Sequence, residues 1–287
     1  MRKVLEVRPG AEPHWVGDGF PVRTMFSYDG EAEAVSPFLL LDYAAPRKFA
    51  PTTERLGVGT HPHRGFETVT IAFQGEVEHR DSAGNSGRIG PGDVQWMTAA
   101  SGVLHEEFHG REFAQRGGVF EMAQIWVNLP AKHKMSPPRY QDIVAATIPS
   151  AALPGGAGEV RVISGECLGA RGPAKTFTPV EIWVVRLAAG KTGEIPVPEG
   201  HNAIVLAMRG PVVVGEDSRV NEGDIAIFDR RGGAIRARAD HEASLLVLAG
   251  EPIDEPVAGY GPFVMNTEAE IAQAMRDFRS GRFGELS

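Results

Sequence analysis

Two pairs of residues in the first half of the chain have the types and the spacing of metal ligands. His61 and His63 lie two positions apart, and so do His105 and Glu107. Side chains two residues apart on a β-strand point to the same face, so each pair would project to one side. If the two strands are neighbours in a closed barrel, three imidazoles and one carboxylate converge inside it. This donor set suits a divalent first-row metal and leaves one or two positions for water, substrate or oxygen.

A second carboxylate competes for the same role. Glu67 lies four residues after His63 and shares its strand parity, so parity does not choose between Glu67 and Glu107.

Cysteine is not among the candidate ligands, because Cys167 is the single cysteine of the chain. The sequence therefore excludes an intramolecular disulfide and a cluster of thiolates, and it predicts a metal held by nitrogen and oxygen.

The histidines are distributed unevenly between the two halves of the chain. Seven of the nine precede residue 140, and only His201 and His241 follow it. The second half offers Gly200-His201-Asn202-Ala203 where the first half has its His-x-His pair, and it has no His-x-Glu segment near residues 228–240. We therefore expect metal in the first half and none in the second.

Short apolar runs punctuated by glycine and proline predict the elements that position these residues. The runs are too short and too rich in β-branched and aromatic residues for the helices of an α/β fold. A strand followed by a Gly-Asp turn and a further strand occurs twice, at Gly92-Asp93 and at Gly223-Asp224. The repeat indicates a duplicated small barrel. Predicted strands are Val69–Phe73, Val94–Met97, Gln124–Leu129, Ile182–Leu187, Ala203–Met208, Asp224–Phe228 and Ser244–Ala249.

A proline-rich stretch, residues 128–154, separates the two copies and includes at most one strand, near Tyr140–Val144. We predict a metal-binding N-terminal domain over residues 1–140 and a C-terminal domain without metal over residues 141–287. The C-terminal domain is expected to close with an α-helix over residues 267–280. Thr267 and Glu270 form the capping box that begins this helix.

Composition narrows the function classes. The formal charge of −8 and the pI near 5.6 argue against direct binding of nucleic acid, which requires Lys and Arg to neutralise phosphates. The first residues lack the apolar core of a signal peptide, and no run of about 18 uncharged apolar residues occurs. We expect a cytoplasmic protein that does not engage a membrane.

Four segments together resemble the pirin family of the cupin superfamily: residues 61–69, 91–99, 102–107 and 261–267. The resemblance runs from about residue 20 to the end of the chain. It implies an all-β bicupin, with two double-stranded β-helix barrels and a short C-terminal helix.

The resemblance also implies a ligand set and a reaction. One mononuclear divalent metal would be held by His61, His63, His105 and Glu107, with Glu67 adjacent to this set. Fe(II) is the expected metal, and related sites also accept nickel, manganese, copper, cobalt or zinc. Several pirins resemble quercetin 2,3-dioxygenases, which open a flavonol with O₂; Glu107 would then also be the catalytic base. Other pirins are described as regulators, so the alternative is a redox-sensing, non-enzymatic protein that acts through a protein partner.

Several further residues receive a structural interpretation. We interpret His79 as part of a solvated hairpin tip before the turn at residues 84–87, and we expect Arg64 to be paired structurally. His109 shares the face of Glu107 but is left out of the ligand set. Core packing is the favoured interpretation for Trp96, Met97, Gln124 and Trp126 over a role in lining an aromatic pocket.

Overall fold

The computed structural model describes residues 1–286. In chain order, the strands of the first half are β1 (Val4–Pro9), β2 (His14–Val16), β3 (Phe20–Ser27), β4 (Phe38–Phe49), β5 (Gly57–His63), β6 (Phe66–Gln74), β7 (Val77–Asp81), β8 (Ser86–Ile89), β9 (Val94–Thr98), β10 (Val103–His109), β11 (Gly118–Asn128) and β12 (Arg139–Ile143). The helices among them are α1 (Ala32–Val35) and α2 (Arg111–Arg116).

The strands of the second half are β13 (Ser150–Leu153), β14 (Gly158–Ser164), β15 (Glu166–Cys167), β16 (Ala170–Arg171), β17 (Val180–Leu187), β18 (Lys191–Pro196), β19 (Asn202–Arg209), β20 (Val212–Val214), β21 (Ser218–Val220), β22 (Asp224–Phe228), β23 (Ala234–Ala239), β24 (Ala243–Gly250), β25 (Ala258–Tyr260) and β26 (Phe263–Met265). Helix α3 (Glu268–Arg279) follows. Every strand predicted from the sequence is present, and the all-β fold is confirmed. Among residues 1–286, no helix combines the length and the apolar character needed to cross a membrane.

The first compact unit comprises residues 12–24, 38–145 and those from residue 253 onward. Its larger sheet has the antiparallel order β12-β9-β6-β11-β4-β3-β2, and its smaller sheet has the order β5-β10-β7-β8. Side chains from both sheets share one apolar cluster, which includes Phe20, Ala72, Val77, Ile89 and Phe120. Two sheets that enclose a common core produce the small barrel expected of a cupin.

The second unit comprises residues 1–11, 25–37 and 146–252. Its larger sheet has the order β1-β22-β19-β24-β17-β14-β13, and its smaller sheet has the order β18-β23-β20-β21. The core between these sheets is apolar and includes Trp183, Val205, Ile235 and Val247. His201 forms a 2.9 Å contact from Nδ1 to Oε2 of Glu181, which gives this histidine a local partner.

The predicted division into domains over residues 1–140 and 141–287 stays a prediction, whereas the two compact units are built from discontinuous segments. The border between them in the middle of the chain lies at residue 145, but each unit also contains a terminal segment from the other half. β1 pairs with β22, so the first residues of the chain complete the large sheet of the second unit. The segment after residue 252, including α3, is part of the first compact unit. Local patterns do not reveal this exchange, because strand partners are chosen by non-local contacts.

Helix α3 begins as the sequence predicts. The Thr267 hydroxyl accepts a hydrogen bond from the Glu270 amide and donates one to the Glu270 carboxylate. Further along the helix, Asp277 receives a 2.9 Å hydrogen bond from Arg64, which lies immediately after the His61–His63 segment. The Arg64 guanidinium also donates to the Ser101 carbonyl. The predicted structural pairing of Arg64 is therefore confirmed, and it connects the C-terminal helix to the end of strand β5.

Candidate metal centre

Strands β5 and β10 place three histidines side by side in the first unit. His105 lies opposite His61 in the antiparallel register, and Val103 lies opposite His63. The ring centroids of His61 and His105 are 4.1 Å apart, and that of His63 lies 4.7 Å from that of His105. One nitrogen from each of the three rings lies within 4.8 Å of the other two. The structure thus brings together the three histidines that the sequence predicts as ligands.

The protonation of these rings favours metal binding. His63 and His105 are buried, and burial lowers the pKa of both imidazoles well below the usual value, with the neighbouring His61 adding to the effect. Both rings are therefore neutral at pH 7 and retain a lone pair. His61 Nδ1 lies 2.9 Å from the Gly59 carbonyl oxygen, and because a carbonyl only accepts, Nδ1 carries the proton.

Two buried nitrogens of the cluster have no hydrogen-bond partner among the described residues. These atoms are Nδ1 of His63 and Nε2 of His105, and both residues are buried. An unsatisfied buried nitrogen costs free energy unless something binds it. A cluster of three imidazoles with two such atoms fits a divalent metal.

Glu107 lies next to this cluster. A register irregularity separates His105 from Glu107 in the pairing with β5, whereas the pairing with β7 is regular. One Glu107 oxygen lies within 4.8 Å of ligand atoms of His105 and His79, a second group that does not include His61 or His63. Glu107 and both members of the His61–His63 pair line one cavity. The predicted fourth ligand is therefore adjacent to the three histidines.

Two neutral side chains hold the Glu107 carboxylate. The Thr70 hydroxyl and the Gln95 amide each donate a 3.2 Å hydrogen bond to its Oε1 atom. Both of these hydrogen bonds, within the described part of the chain, end on Oε1. Oε2 is therefore the atom available to a metal or to a substrate proton.

The cavity beside the histidines is mainly apolar and has a volume of about 310 Å³. Trp126 and Gln124 line it, whereas Trp96 and Met97 are fully buried core residues. The predicted core role is thus confirmed for two of these four residues, and the other two face the cavity. The remaining lining includes Phe20, Val22, Val58, Met122, Pro262 and Asp42.

A row of polar side chains crosses the larger sheet at the level of this cavity. Gln95, Thr70, Gln124 and Asp42 are consecutive cross-strand partners on β9, β6, β11 and β4. The Thr70 hydroxyl lies 2.6 Å from Oε1 of Gln124 and shares its single proton between this oxygen and Oε1 of Glu107. Thr24 donates a 2.6 Å hydrogen bond to Asp42. Burial raises the pKa of Asp42, although the hydrogen bond from Thr24 opposes the shift. The row therefore begins beside Glu107 and ends at the Asp42 carboxyl group, whose pKa is raised.

Comparisons with known proteins identify the family of this chain and support its fold. The family model described as Pirin matches residues 19–127, and the model described as Pirin C-terminal cupin domain matches residues 182–284. A Pseudomonas aeruginosa protein named "Putative quercetin 2,3-dioxygenase PA2418" is 56% identical over 99% of both chains. The chain belongs to the pirin family. The pirin of Homo sapiens is 37% identical over 88% of this chain and 85% of its own. The crystal structure of quercetin 2,3-dioxygenase from Acinetobacter baumannii has 53% identity, full coverage of both chains and a TM-score of 0.97.

In this pirin, Glu67 lies away from the histidine cluster. The backbone turns between β5 and β6 at Gly65, where φ is +92° and an added Cβ would lie 1.9 Å from the Val264 carbonyl oxygen. The turn interrupts strand alternation, so the parity shared by His63 and Glu67 is lost. Glu67 and Thr70 are three positions apart on β6, so their side chains point to opposite faces of the sheet. The Thr70 hydroxyl faces the cavity side, whereas Glu67 accepts a 2.6 Å hydrogen bond from Thr98 on the other face.

Glu67 should make the stability of this pirin depend on pH. Burial raises the pKa of Glu67 to about 7, against the opposing hydrogen bond from Thr98. Between about pH 4.5 and 7 the unfolded chain loses this proton while the folded chain keeps it, so stability falls as pH rises through about 7. The Glu67→Gln variant does not lose stability in this way. The difference in unfolding free energy between wild type and variant should therefore change by up to about 3 kcal/mol between about pH 4.5 and 7.

Urea unfolding of the metal-free proteins at several pH values measures this difference. The exposed Glu54 provides a matched control, because Glu54→Gln should follow the wild type at each pH. A constant gap between wild type and Glu67→Gln from pH 4.5 to 7.5 would contradict the assignment.

His79 is the site residue that the sequence analysis missed. The interpretation as a solvated hairpin tip is wrong, because the His79 side chain is fully buried and its Nδ1 lies 3.4 Å from Nδ1 of His105. β7 reads Val-Glu-His-Arg-Asp, with the first, third and fifth residues buried. That alternation was available in the sequence and would have placed His79 and Asp81 on the inner face.

His109 has a structural role, consistent with its omission from the ligand set. Its ring lies 4.6 Å from that of Phe120 and 4.7 Å from that of Phe49, and its Nε2 lies 2.8 Å from the Gly19 carbonyl oxygen.

Both groups of side chains that could hold a metal ion among residues 1–286 lie in the first unit. That the second barrel binds no metal stays a prediction.

Proposed function

We propose that this pirin is a metal-dependent dioxygenase that opens flavonol-like enols such as quercetin with O₂. The ion, expected to be Fe(II), would be held by His61, His63, His105 and Glu107. The observation that carries the proposal is the convergence of three imidazoles, with a carboxylate next to them, beside an apolar cavity. The names of the Pseudomonas aeruginosa and Acinetobacter baumannii relatives support the same reaction class.

When bound at this site, such a metal supplies Lewis acidity toward a substrate hydroxyl and, if it is iron, a redox centre for oxygen. Glu107 is the group of this chain suited to take the hydroxyl proton. Its Oε1 is held by Thr70 and Gln95, so Oε2 has a fixed direction. A carboxylate held in this way can accept a proton without first reorganising its surroundings.

The cavity walls position the substrate and exclude water. Trp126, Phe20 and Met122 offer flat or adaptable apolar surface to a planar aromatic molecule. Gln124 and Asp42 place polar groups at the same cavity, within the row that leads to Glu107. This arrangement favours a planar substrate whose acidic hydroxyl lies near the histidines and whose other hydroxyls meet the polar row.

The proposal is tested by loading the metal-free protein with Fe(II) under anaerobic conditions and then supplying quercetin and oxygen. We expect about one iron per chain, together with coupled loss of quercetin and uptake of O₂. Iron binding without turnover would instead support a regulatory protein. No iron binding would contradict the proposed metal centre.

Asp42 should contribute to substrate binding more than to the chemical step. Replacing it in Asp42→Leu removes one polar contact, and we expect KM for quercetin to rise roughly three- to tenfold while kcat changes by less than about threefold. A flavonol that has only the 3-hydroxyl among its ring hydroxyls serves as the control substrate, and its KM should not change. Steady-state oxygen uptake measures both parameters. A collapse of kcat with unchanged KM would show that Asp42 has a different role.

A further inference from the structure

His79 lies on the inner face of strand β7, next to the predicted ligands of β10. In the antiparallel register, His79 is opposite Glu107 and Asp81 is opposite His105. Directly opposed residues of neighbouring strands share a face, so all four side chains point inward. The intervening Arg80 points outward and forms a 2.7 Å ion pair with Glu106. A buried histidine thus adjoins the cluster without being one of the four predicted ligands.

The contact between His79 and His105 restricts the tautomers of both rings. Their Nδ1 atoms are 3.4 Å apart, and two imidazole nitrogens form a hydrogen bond only if one carries the proton and the other the lone pair. Nδ1 of His105 is directed at His79, so Nε2 is the nitrogen left to join His61 and His63 at a metal. A ligating Nε2 needs its lone pair, and the proton of the neutral His105 ring must then be on Nδ1. His79 Nδ1 is the acceptor.

The opposite side of the His79 ring is consistent with this assignment. If Nδ1 accepts, the proton of the neutral His79 ring is on Nε2, and this atom lies 3.6 Å from Oδ2 of Asp81. The Asp81 carboxylate is fixed in turn, because it accepts hydrogen bonds from the Ala83 amide and from the backbone and side chain of Asn85. A fixed anion favours an N–H directed toward it.

Stacking fixes the plane of the same ring. Tyr140 lies on His79 with ring centroids 5.2 Å apart and an interplanar angle of 14°. The Tyr140 hydroxyl donates to Oε1 of Gln95, whose amide in turn donates to Glu107. The His79 ring therefore has the Asp81 carboxylate beside its Nε2 edge and Tyr140 stacked on its face.

We propose that His79 is a positioning residue of the metal centre, which accepts a hydrogen bond from Nδ1 of His105 and so keeps the Nε2 lone pair directed at the metal. The inference rests on the proposed role of the cluster as a metal centre. Partners that orient a ligating histidine in this way typically change metal affinity by about 10- to 100-fold when removed.

The test compares three variants in binding of zinc(II) alone, measured by competition with a chromophoric chelator. His79→Ala removes the acceptor, and we expect zinc affinity to fall by roughly 10- to 100-fold. His79→Asn restores an acceptor oxygen near the position of Nδ1 and should return the affinity to within about threefold of wild type. Arg80→Ala, on the outer face of the same strand, should not change it.

Nitrogen-15 NMR of the metal-free protein provides a second measurement that a merely structural role would not affect. In the wild type and in His79→Asn, His105 should be protonated at Nδ1, whereas His79→Ala should show a mixture of the two tautomers. Circular dichroism confirms that each variant is folded.

The inference would be overturned if His79→Ala kept wild-type zinc affinity, or if the alanine and asparagine variants lost zinc affinity to the same extent. It would also be overturned if His105 were protonated at Nε2 in the wild type. Loss of all zinc binding in both His79 variants would make His79 a ligand and would also overturn it. If the zinc affinities and the His105 tautomers are as expected but the protein does not consume quercetin, the proposed reaction is wrong and the role of His79 still holds.

Discussion

Replacing His105 with alanine should abolish both metal binding and turnover. His105 is the fully buried member of the three-histidine cluster, and its ring contacts those of both other histidines. Without it, two imidazoles and a carboxylate remain, and the bound metal should fall from about one ion per chain to less than about a tenth. Turnover of quercetin should fall on the order of a thousandfold or more, because the reaction requires the metal. Elemental analysis and oxygen uptake measure the two effects.

Two further variants separate loss of the ligand from loss of the fold. His105→Gln retains most of the side-chain volume and a polar atom, so it should fold like the wild type and still bind metal poorly. His241→Ala removes an exposed histidine from the second unit and should behave as wild type in both assays. Full metal occupancy in His105→Ala would rule out the proposed ligand set.

Replacing Glu107 with glutamine should separate its role as a base from its role as a ligand. Glutamine keeps the size of the side chain and an oxygen that can accept from Thr70 and Gln95, but it does not take up a proton. We expect kcat for quercetin to fall roughly 10²- to 10⁴-fold at saturating Fe(II). Metal affinity should also fall, because an amide oxygen is a weaker ligand than a carboxylate. Iron titration followed by single-turnover kinetics distinguishes the two losses.

The neighbouring Glu106 offers a matched control on the same strand. Its side chain lies on the outer face of β10 and pairs with Arg80 and Arg55. Burial tends to raise the pKa of Glu106, but the two arginines outweigh it and hold the pKa below its usual value. Glu106→Gln should therefore leave kcat and iron content unchanged. Unimpaired turnover in Glu107→Gln would assign the proton transfer to another group.

Local sequence patterns predicted the parts of this protein that depend on neighbours along the chain. The spacing of His61 and His63, and of His105 and Glu107, follows from strand alternation, and the three histidines do converge. The capping of α3 likewise depends on residues three positions apart. In each case the relevant interaction or direction is set within a few residues, so the sequence pattern contains the information.

Glu67 and His79 show where a turn limits what can be predicted from strand alternation. Glu67 has the parity of His63, but the positive φ of Gly65 reverses the alternation between β5 and β6. His79 was assigned to solvent although its strand alternates, because the turn that follows it dominated the interpretation. A single residue with an unusual backbone angle changes the face of every side chain after it.

By itself, the sequence predicted the two-barrel fold, the three histidines that converge and the C-terminal helix, because repeats, alternation and caps are local signals. Only the tertiary structure decided that His79 contacts His105, that Asp42 and Gln124 lie in one cavity-lining row, and that the segment after residue 252 belongs to the unit of the histidines. These features depend on which strands become neighbours and in what register. Pairing between distant segments is selected by the packing of the whole core, and no short stretch of sequence contains that information.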